Sequence, residues 1–216
     1  MKALVIGATG ATGQDLISLL LADNAYDSVD VFVRRAPDIS HDKLHVHVVD
    51  FEKPNDWAEK VRGDVAFSCM GTTLKSAGSK EAQWKVDYVY QLDFAQNALK
   101  NGVREFILVS SMSAKANSGF FYMRMKGLLE EDIRKLGFHR LIIVRPPSLV
   151  RKNTDRLSEK IGMMIIRCFN RVGLLKRMAP MKTETVARAM LELSKHTETG
   201  VSLCEESELR KYEFYH

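Results

Sequence analysis

The sequence predicts an α/β fold with a doubly wound parallel sheet, and two observations support this prediction. Apolar, β-branched runs alternate along the chain with helical patterns, as they do when helices cover both faces of a parallel sheet. A glycine-rich stretch at residues 7–13 joins the first of these runs to the first helical pattern. A length of 216 residues is sufficient for one well-buried domain. We therefore predict a single domain over residues 1–216, with a small C-terminal substrate-side portion at residues 150–182.

The glycine-rich stretch lies where the apolar run 2–6 gives way to the helical pattern 14–21. Gly7 allows a tight turn, Gly10 allows the main chain to approach a pyrophosphate, and Gly13 allows the helix to pack closely on the strand. The unpaired N–H groups and the positive dipole end of the helix suit a phosphate. A glycine-rich turn without a ligand is the alternative, although three glycines would then weaken the start of the helix for no return. The stretch predicts a dinucleotide site.

The second strand, predicted over residues 28–33, ends in Arg34 and Arg35. This position, about 20 residues after the third glycine, is where such sites discriminate between dinucleotides. An acidic residue would bind the ribose hydroxyls of NAD, whereas two guanidinium groups match the 2′-phosphate of NADP. The pair therefore predicts that NADP(H) is preferred over NAD(H). The alternative is a solvated charge pair after an edge strand.

Two further strands are predicted over residues 44–49 and 64–70. Asp50 follows the first of them, and it either meets the adenine amine or caps a local turn. Residues 71–73 follow the second, at the carboxyl edge where open α/β sheets bind ligands, and we expect them to line the cofactor cleft. The polar loop 74–79 either lies over the site or is a plain connector.

A second group of reactive side chains follows a long helical pattern at residues 80–100. The next strand, predicted over 105–111, brings two serines to the same carboxyl edge. Tyr122 and Lys126 are four residues apart on the following helix and share a face, so the ammonium group favours the phenolate form of the tyrosine. This spacing alone occurs by chance on many helices. Here, however, the tyrosine and lysine follow the glycine-rich turn and the serine-bearing strand, and this order predicts that these groups converge at one edge of the cleft.

The chain resembles the atypical short-chain dehydrogenases/reductases, which have an NAD(P)-binding Rossmann fold, over nearly its whole length. The resemblance rests on residues 7–13, 33–35, 69–73, 86–88, 109–111, 122–126 and 145–146. By matching position it implies a catalytic set of Ser111, Tyr122 and Lys126, with Ser110 as the rival serine.

The resemblance also implies that the residues after the sixth strand, Pro146 to Ser148, approach the nicotinamide. Pro147 departs from the glycine that is common there in one oxidoreductase subgroup. The full set of predicted cofactor-binding residues is Gly7, Thr9, Gly10, Ala11, Thr12, Gly13, Arg34, Arg35, Asp50, Phe51, Cys69, Met70, Gly71, Thr72, Tyr122, Lys126, Pro146 and Ser148.

The predicted function is that of an NADP(H)-dependent oxidoreductase acting on a small carbonyl or alcohol substrate. Tyr122 would donate the proton, Ser111 would position the carbonyl oxygen, and Lys126 would act on the tyrosine and the ribose. Two alternatives remain. One is a non-catalytic NADP(H)-binding regulatory or interaction protein, and the other is an enzyme like the nucleotide-sugar epimerases, which use the same residue types but usually carry a larger substrate portion.

Composition limits the other classes of function. A net charge of +5 is too small to indicate nucleic acid binding, and no apolar stretch approaches the roughly 18 residues of a membrane span. Cys69, Cys168 and Cys204 have no metal-ligand spacing, so we expect reduced thiols and no metal site. We expect a cytoplasmic protein, for which an oligomer is compatible with the sequence. A basic face over residues 156–171 indicates either an anionic partner, such as a membrane surface, or the solvated face of an amphipathic helix.

Overall fold

The computed structural model describes residues 1–150 and 179–214, and a parallel sheet dominates them. The strands of these ranges are β1 Lys2–Ile6, β2 Ser28–Val33, β3 Leu44–Val48, β4 Val65–Ser68, β5 Glu105–Val109, β6 Arg140–Val144, β7 Leu149–Val150, β8 Met181–Lys182 and β9 Gly200–Cys204. Seven of them form one sheet in the order β3-β2-β1-β4-β5-β6-β9, with every neighbouring pair parallel. The short strands β7 and β8 pair separately.

Helices cover both faces of this sheet. They are α1 Ala11–Ala22, α2 Leu74–Ala77, α3 Lys80–Trp84, α4 Tyr90–Lys100, α5 Phe121–Leu136, α6 Thr183–Leu193 and α7 Glu206–Leu209. The helices α1 and α6 contribute to the apolar cluster on one face, and α4 and α5 contribute to the cluster on the other. Because side chains alternate along a strand, Val5 packs into the first cluster while Leu4 packs into the second. A strand buried on both faces must be apolar, as β1 is from Ala3 to Ile6.

The sheet order places a topological switch point between β1 and β4. The chain runs outward from β1 through β2 to β3, and then returns to build β4, β5 and β6 on the other side. Ligands of doubly wound sheets bind in the crevice beyond the carboxyl ends of the strands at this point. The predicted fold class is confirmed, and the strand order sets the place of the cleft.

The helix predicted over residues 80–100 is interrupted in the structure. Between α3 and α4 the chain makes a π-helical turn at Lys85–Val89. The side chain of Gln91 supports this turn, since its Nε2 donates to the carbonyl oxygens of Asp87 at 2.9 Å and Val86 at 3.4 Å. Turns of this kind are frequently found at functional sites. A helical pattern in the sequence does not reveal the extra residue, because the turns on both sides keep their spacing.

Two predicted strands are shorter than expected. The strand predicted over 64–70 ends at Ser68, and the strand predicted over 105–111 ends at Val109. The residues beyond these ends, including both serines, therefore lie in loops at the carboxyl edge and not within the sheet.

The predicted substrate-side portion at residues 150–182 lies almost entirely outside the described residues, as do the basic face at 156–171 and Cys168. The strands β7 and β8 flank that segment and pair with each other in parallel. Within the described ranges no helix has both the length and the apolar character needed to cross a membrane.

Candidate cofactor and active site

The glycine-rich turn after β1 lies directly against the end of β4. Gly7 has φ +76°, and a Cβ there would lie 2.4 Å from the carbonyl carbon of Cys69. A Cβ on Gly13 would lie 2.1 Å from the oxygen of Gly7. Gly10 closes the turn by donating its N–H to the same oxygen at 2.9 Å. Side chains at Gly7 and Gly13 would displace backbone, so the turn requires glycine at both positions.

The start of α1 opens into the cleft with unpaired donors. Gln14 is the first residue whose N–H bonds back into the helix, at 2.8 Å from the oxygen of Gly10. The N–H groups of residues 11–13 have no acceptor within the helix, as at any helix start. Gly10 has no side chain with which to cap them, and the first turn contains no acidic residue. This end of α1 therefore has the donors and the dipole that an anion requires.

A cleft of about 660 Å³ extends from this turn along the carboxyl ends of β1 to β4. The predicted cofactor-binding residues that line it are Gly7, Thr9, Gly10, Arg34, Phe51, Cys69, Met70, Gly71 and Thr72. The other predicted cofactor-binding residues do not line it; they are Ala11, Thr12, Gly13, Arg35, Asp50, Tyr122, Lys126, Pro146 and Ser148. The helix α2 contributes Ser76 and Ala77 to the wall, and the hydroxyl of Thr73 caps it by accepting from the N–H of Ser76 at 3.1 Å. The segment predicted as either lid or connector is thus part of the cleft wall.

The end of the cleft near β2 and β3 carries charged side chains. Arg34 and Arg35 are both exposed, but only Arg34 lines the cleft. Asp50 is also exposed, and its Oδ1 accepts from the N–H of Glu52 at 3.0 Å. Asp50 was predicted either to meet the adenine amine or to cap a local turn, and this hydrogen bond is the turn-capping contact.

A cluster around Glu52 closes the same end and was not found from the sequence. Glu52 accepts from the Nζ of Lys85 at 2.8 Å and from the hydroxyl of Tyr90 at 2.5 Å. The ring of Tyr90 stacks on Phe51 with centroids 5.5 Å apart. Burial, followed by the bond to Glu52, raises the pKa of Tyr90 to about 12. Because these residues are far apart in the sequence, no local sequence pattern predicts the cluster.

The two serines after β5 have different surroundings. Ser110 is buried and donates to Glu130 Oε1 at 2.5 Å. The same carboxylate, 1% exposed, also receives two bonds from Arg145, at 2.9 and 2.5 Å. Ser111 is only partly buried, and its hydroxyl makes a long contact of 3.4 Å to the oxygen of Met112. Ser110 is thus committed to a buried network, whereas Ser111 is partly exposed and, among the described residues, makes only the long contact to Met112.

Lys126 is buried and forms an ion pair with a residue from the π-helical turn. Its Nζ lies 3.3 Å from Oδ1 of Asp87, with the side chains 3% and 0% exposed. The other carboxylate oxygen accepts from the N–H of Thr72 at 2.9 Å. Burial outweighs the attraction of Lys126 and raises the pKa of Asp87 above its usual range. Sequence reasoning missed this role, although an aspartate followed by a glutamine four residues later in an apolar helical run was a usable signal.

Tyr122 lies in the first turn of α5, partly buried, and the loop before it is held firmly against the helix. The N–H of Lys115 donates to the oxygen of Met123 at 3.1 Å. A Cβ on Gly127 would lie 2.2 Å from the nitrogen of Ala116, so the loop passes over the helix at a point where only glycine fits. The loop that carries Ser111 and the helix that carries Tyr122 and Lys126 therefore form one unit.

The predicted catalytic set of Ser111, Tyr122 and Lys126 is not among the residues that line the 660 Å³ cleft. The connection is indirect: Thr72 lines the cleft, Asp87 binds its N–H, and Lys126 pairs with Asp87. Pro146 is buried, and its oxygen accepts from Met112 at 2.9 Å, while Ser148 is exposed.

A doubly wound sheet whose first turn is glycine-rich and opens on the switch point defines a dinucleotide-binding protein. The chain belongs to the NAD(P)H-binding family, which matches residues 7–197. It is 32% identical over 201 residues to "Protein FMP52, mitochondrial" of Candida albicans, covering 90% of this chain and 88% of the relative. It is 34% identical over 172 residues to "Protein HTATIP2" of Rattus norvegicus, covering 78% of this chain and 69% of the relative.

Solved structures agree with this assignment at the level of the fold. A short-chain dehydrogenase/reductase superfamily protein from Agrobacterium tumefaciens, solved with bound NAD, superposes with a TM-score of 0.72 at 14% identity. The match covers 95% of this chain and 77% of that one. The predicted resemblance to the atypical short-chain dehydrogenases/reductases is confirmed.

The expectation of a cytoplasmic protein is wrong. Relatives from Candida albicans and Meyerozyma guilliermondii, 32% and 34% identical to this chain, are both named as mitochondrial. The expectation rested on the lack of a long apolar stretch. That property bears on insertion into a membrane and not on import into an organelle, for which targeting segments are amphipathic.

Proposed function

We propose that this protein is an NADP(H)-dependent oxidoreductase that interconverts a small carbonyl compound and the corresponding alcohol. The observation that carries the proposal is the chain of contacts from Thr72 through Asp87 to Lys126. It joins the wall of the nucleotide cleft to the helix that bears Tyr122. A protein that only binds the nucleotide has no need of a buried ion pair that joins the cleft wall to the helix bearing Tyr122.

The residues at the phosphate end fit a dinucleotide. Gly7 and Gly13 allow the main chain to pack at positions where a Cβ would collide with backbone, and the start of α1 has no side-chain cap. Arg34 lines the cleft beyond the end of β2, where its guanidinium group would bind a 2′-phosphate through charge-assisted hydrogen bonds. Arg35 is exposed outside the lining and would contribute through its charge alone. These features support the preference for NADP(H) within the NAD(P)H-binding family.

At the other end we assign three roles. Tyr122 exchanges a proton with the substrate oxygen, Ser111 orients that oxygen through its hydroxyl, and Lys126, one helical turn from Tyr122, would hold the ribose hydroxyls of the cofactor. When bound, the reduced cofactor supplies a hydride to the carbonyl carbon. The proton from Tyr122 completes the alcohol, and the tyrosine then regains a proton from solvent, so the reaction is balanced.

Replacing Tyr122 by phenylalanine tests the proposal. We expect Tyr122→Phe to lower the rate of NADPH oxidation, followed at its absorbance across a panel of aldehydes and ketones, by about 100-fold or more. NADPH affinity, measured by fluorescence titration, should change little because the phosphate end is intact. Undiminished turnover in the variant would remove Tyr122 from the mechanism.

Tyr26→Phe is the matched control. Tyr26 is fully buried just before the amino end of β2, at the opposite edge of the sheet from the cleft, and it shares a 2.5 Å hydrogen bond with Ser194. We expect its loss to leave turnover at the parent level. If the parent binds NADPH tightly and oxidises it with none of the compounds, the non-catalytic binding protein becomes the better description.

A further inference from the structure

The carboxyl group of Asp87 is buried at the junction of three elements. It lies in the π-helical turn Lys85–Val89, and its side chain is 0% exposed. The extra residue of such a turn rotates the helix locally, which changes the direction in which a side chain points. Here Asp87 meets the loop after β4 on one side and α5 on the other.

The two oxygens of this carboxylate have different partners. Oδ2 accepts from the N–H of Thr72 at 2.9 Å, within the loop that lines the cofactor cleft. Oδ1 faces the Nζ of Lys126 at 3.3 Å and, among the described residues, has no hydrogen-bond donor in good geometry. A Cβ on Gly71 would lie 3.4 Å from Oδ1, so the main chain of the loop after β4 passes close to this atom. We call this loop, residues 69–73, the cofactor loop.

The energetics of the pair indicate that the negative charge serves something other than folding. Burial raises the pKa of Asp87 despite the attraction of Lys126, so the ionised carboxylate is held in the fold at a net cost. A buried ion pair is in general weak evidence for stability. An asparagine would have the same shape and would still accept from Thr72. What it would lack is the charge that faces Lys126.

We propose that Asp87 is a positioning residue whose negative charge holds the Lys126 ammonium group beside the cofactor loop, while its second oxygen fixes that loop through Thr72. The inference rests on the proposed function, because Lys126 acts on the reaction through the cofactor. Asp87 thereby sets the distance between the cofactor loop and the catalytic helix. No local sequence motif imposes that distance, since these residues belong to three separate elements.

Two variants at this position separate charge from shape. Asp87→Asn keeps an acceptor for Thr72 but removes the charge, and Asp87→Ala removes both. We expect Asp87→Asn to lower kcat by about tenfold to 100-fold while KM and the dissociation constant for NADPH stay within about threefold of the parent. We expect Asp87→Ala to lose kcat to the same extent and to bind NADPH more weakly, because the cofactor loop is released as well.

A cycle of variants gives a readout that does not depend on turnover. Thermal unfolding of Asp87→Asn, Lys126→Met and the double variant measures whether the two side chains are coupled. We expect each single change to lower Tm and the double variant to lower it by less than the sum, because removing both partners leaves no buried charge unpaired. Lys126→Gln replaces Lys126→Met if the latter fails to fold.

Glu105→Gln is the matched control, because Glu105 forms a partly buried ion pair with Arg140 at the amino ends of β5 and β6, 2.9 Å apart and away from the cleft. We expect parent kcat and parent NADPH affinity in this variant.

The outcomes separate this inference from the proposed function. Parent kcat in Asp87→Asn, or Tm changes that simply add in the cycle, would overturn the positioning role while leaving the oxidoreductase intact. If the parent oxidises NADPH with none of the compounds in the panel, the proposed function fails. Coupled Tm changes together with weaker NADPH binding in Asp87→Ala would still support the contact between Asp87, Lys126 and Thr72.

Discussion

The phosphate end of the cleft is built from main chain, whereas the region proposed to be catalytic is built around two buried carboxylates. At the first, Gly7 and Gly13 bring backbone within a distance that a Cβ would prevent. At the second, Asp87 holds Lys126, and Glu130 holds Ser110 and Arg145. Main-chain donors bind any phosphate, while charged side chains must be placed individually. The difference explains why the first region could be recognised from the local sequence, whereas the contacts of the second could not.

The largest effect should come from the region proposed to be catalytic. Glu130→Ala removes the acceptor of both Ser110 and Arg145 and leaves the guanidinium group of Arg145 without its buried partner. We expect the free energy of unfolding, measured by urea denaturation, to fall by about 3–5 kcal/mol. Ser110→Ala removes one hydrogen bond and should lower it by only about 1 kcal/mol. Similar losses in both variants would show that Glu130 does not organise this region.

At the phosphate end, Gly13→Ala places a Cβ 2.1 Å from the oxygen of Gly7. We expect a loss of about 2–3 kcal/mol in the free energy of unfolding, because the turn at Gly7 and Ala8 must shift away from the start of α1. NADPH binding, measured by isothermal titration, should fall steeply with it. Gly119→Ala is the control, since a Cβ there meets nothing within 4 Å. A parent-like Gly13→Ala would mean that the turn tolerates side chains and that its main chain does not define the site.

The choice between the two dinucleotides should depend on Arg34. Because Arg34 lines the cleft and Arg35 does not, we expect Arg34→Ala to weaken NADPH binding by about tenfold, the loss of one charge-assisted interaction, with NADH binding unchanged. The effect of Arg35→Ala should be within about threefold. Fluorescence titration of both nucleotides measures the ratio. An unchanged ratio in both variants would contradict the proposed NADP(H) preference.

The smallest effect concerns pH and lies away from the cleft. Burial, only partly opposed by Arg140, raises the pKa of Glu105 from 4.5 to about 7. The folded state therefore binds more protons than the unfolded state between these values, and stability falls as pH rises from about 4.5 to 7. After allowance for partial exposure we expect a fall of about 1 kcal/mol. The measurement is the difference between the parent and Glu105→Gln in urea unfolding across that range, and a difference that does not change with pH would contradict it.

The sequence alone determined the elements whose spacing is local. The apolar strand before residues 7–13, the glycines themselves and the strand Ser28–Val33 could all be placed because strand, turn and helix are specified by neighbouring residues. The tyrosine and the lysine of α5 could be paired for the same reason, since four residues make about one helical turn. The order of these elements was sufficient for the fold class and the family.

Only the tertiary structure decided which side chains from different elements meet. It showed that Ser110 is committed to Glu130, that Asp87 faces Lys126, and that Glu52 pairs with Lys85 beside the cleft. Each of these contacts joins residues 20 to 39 positions apart in the chain, on different elements. No periodicity connects such residues, because their distance is set by how strands and helices pack and not by their spacing in the sequence.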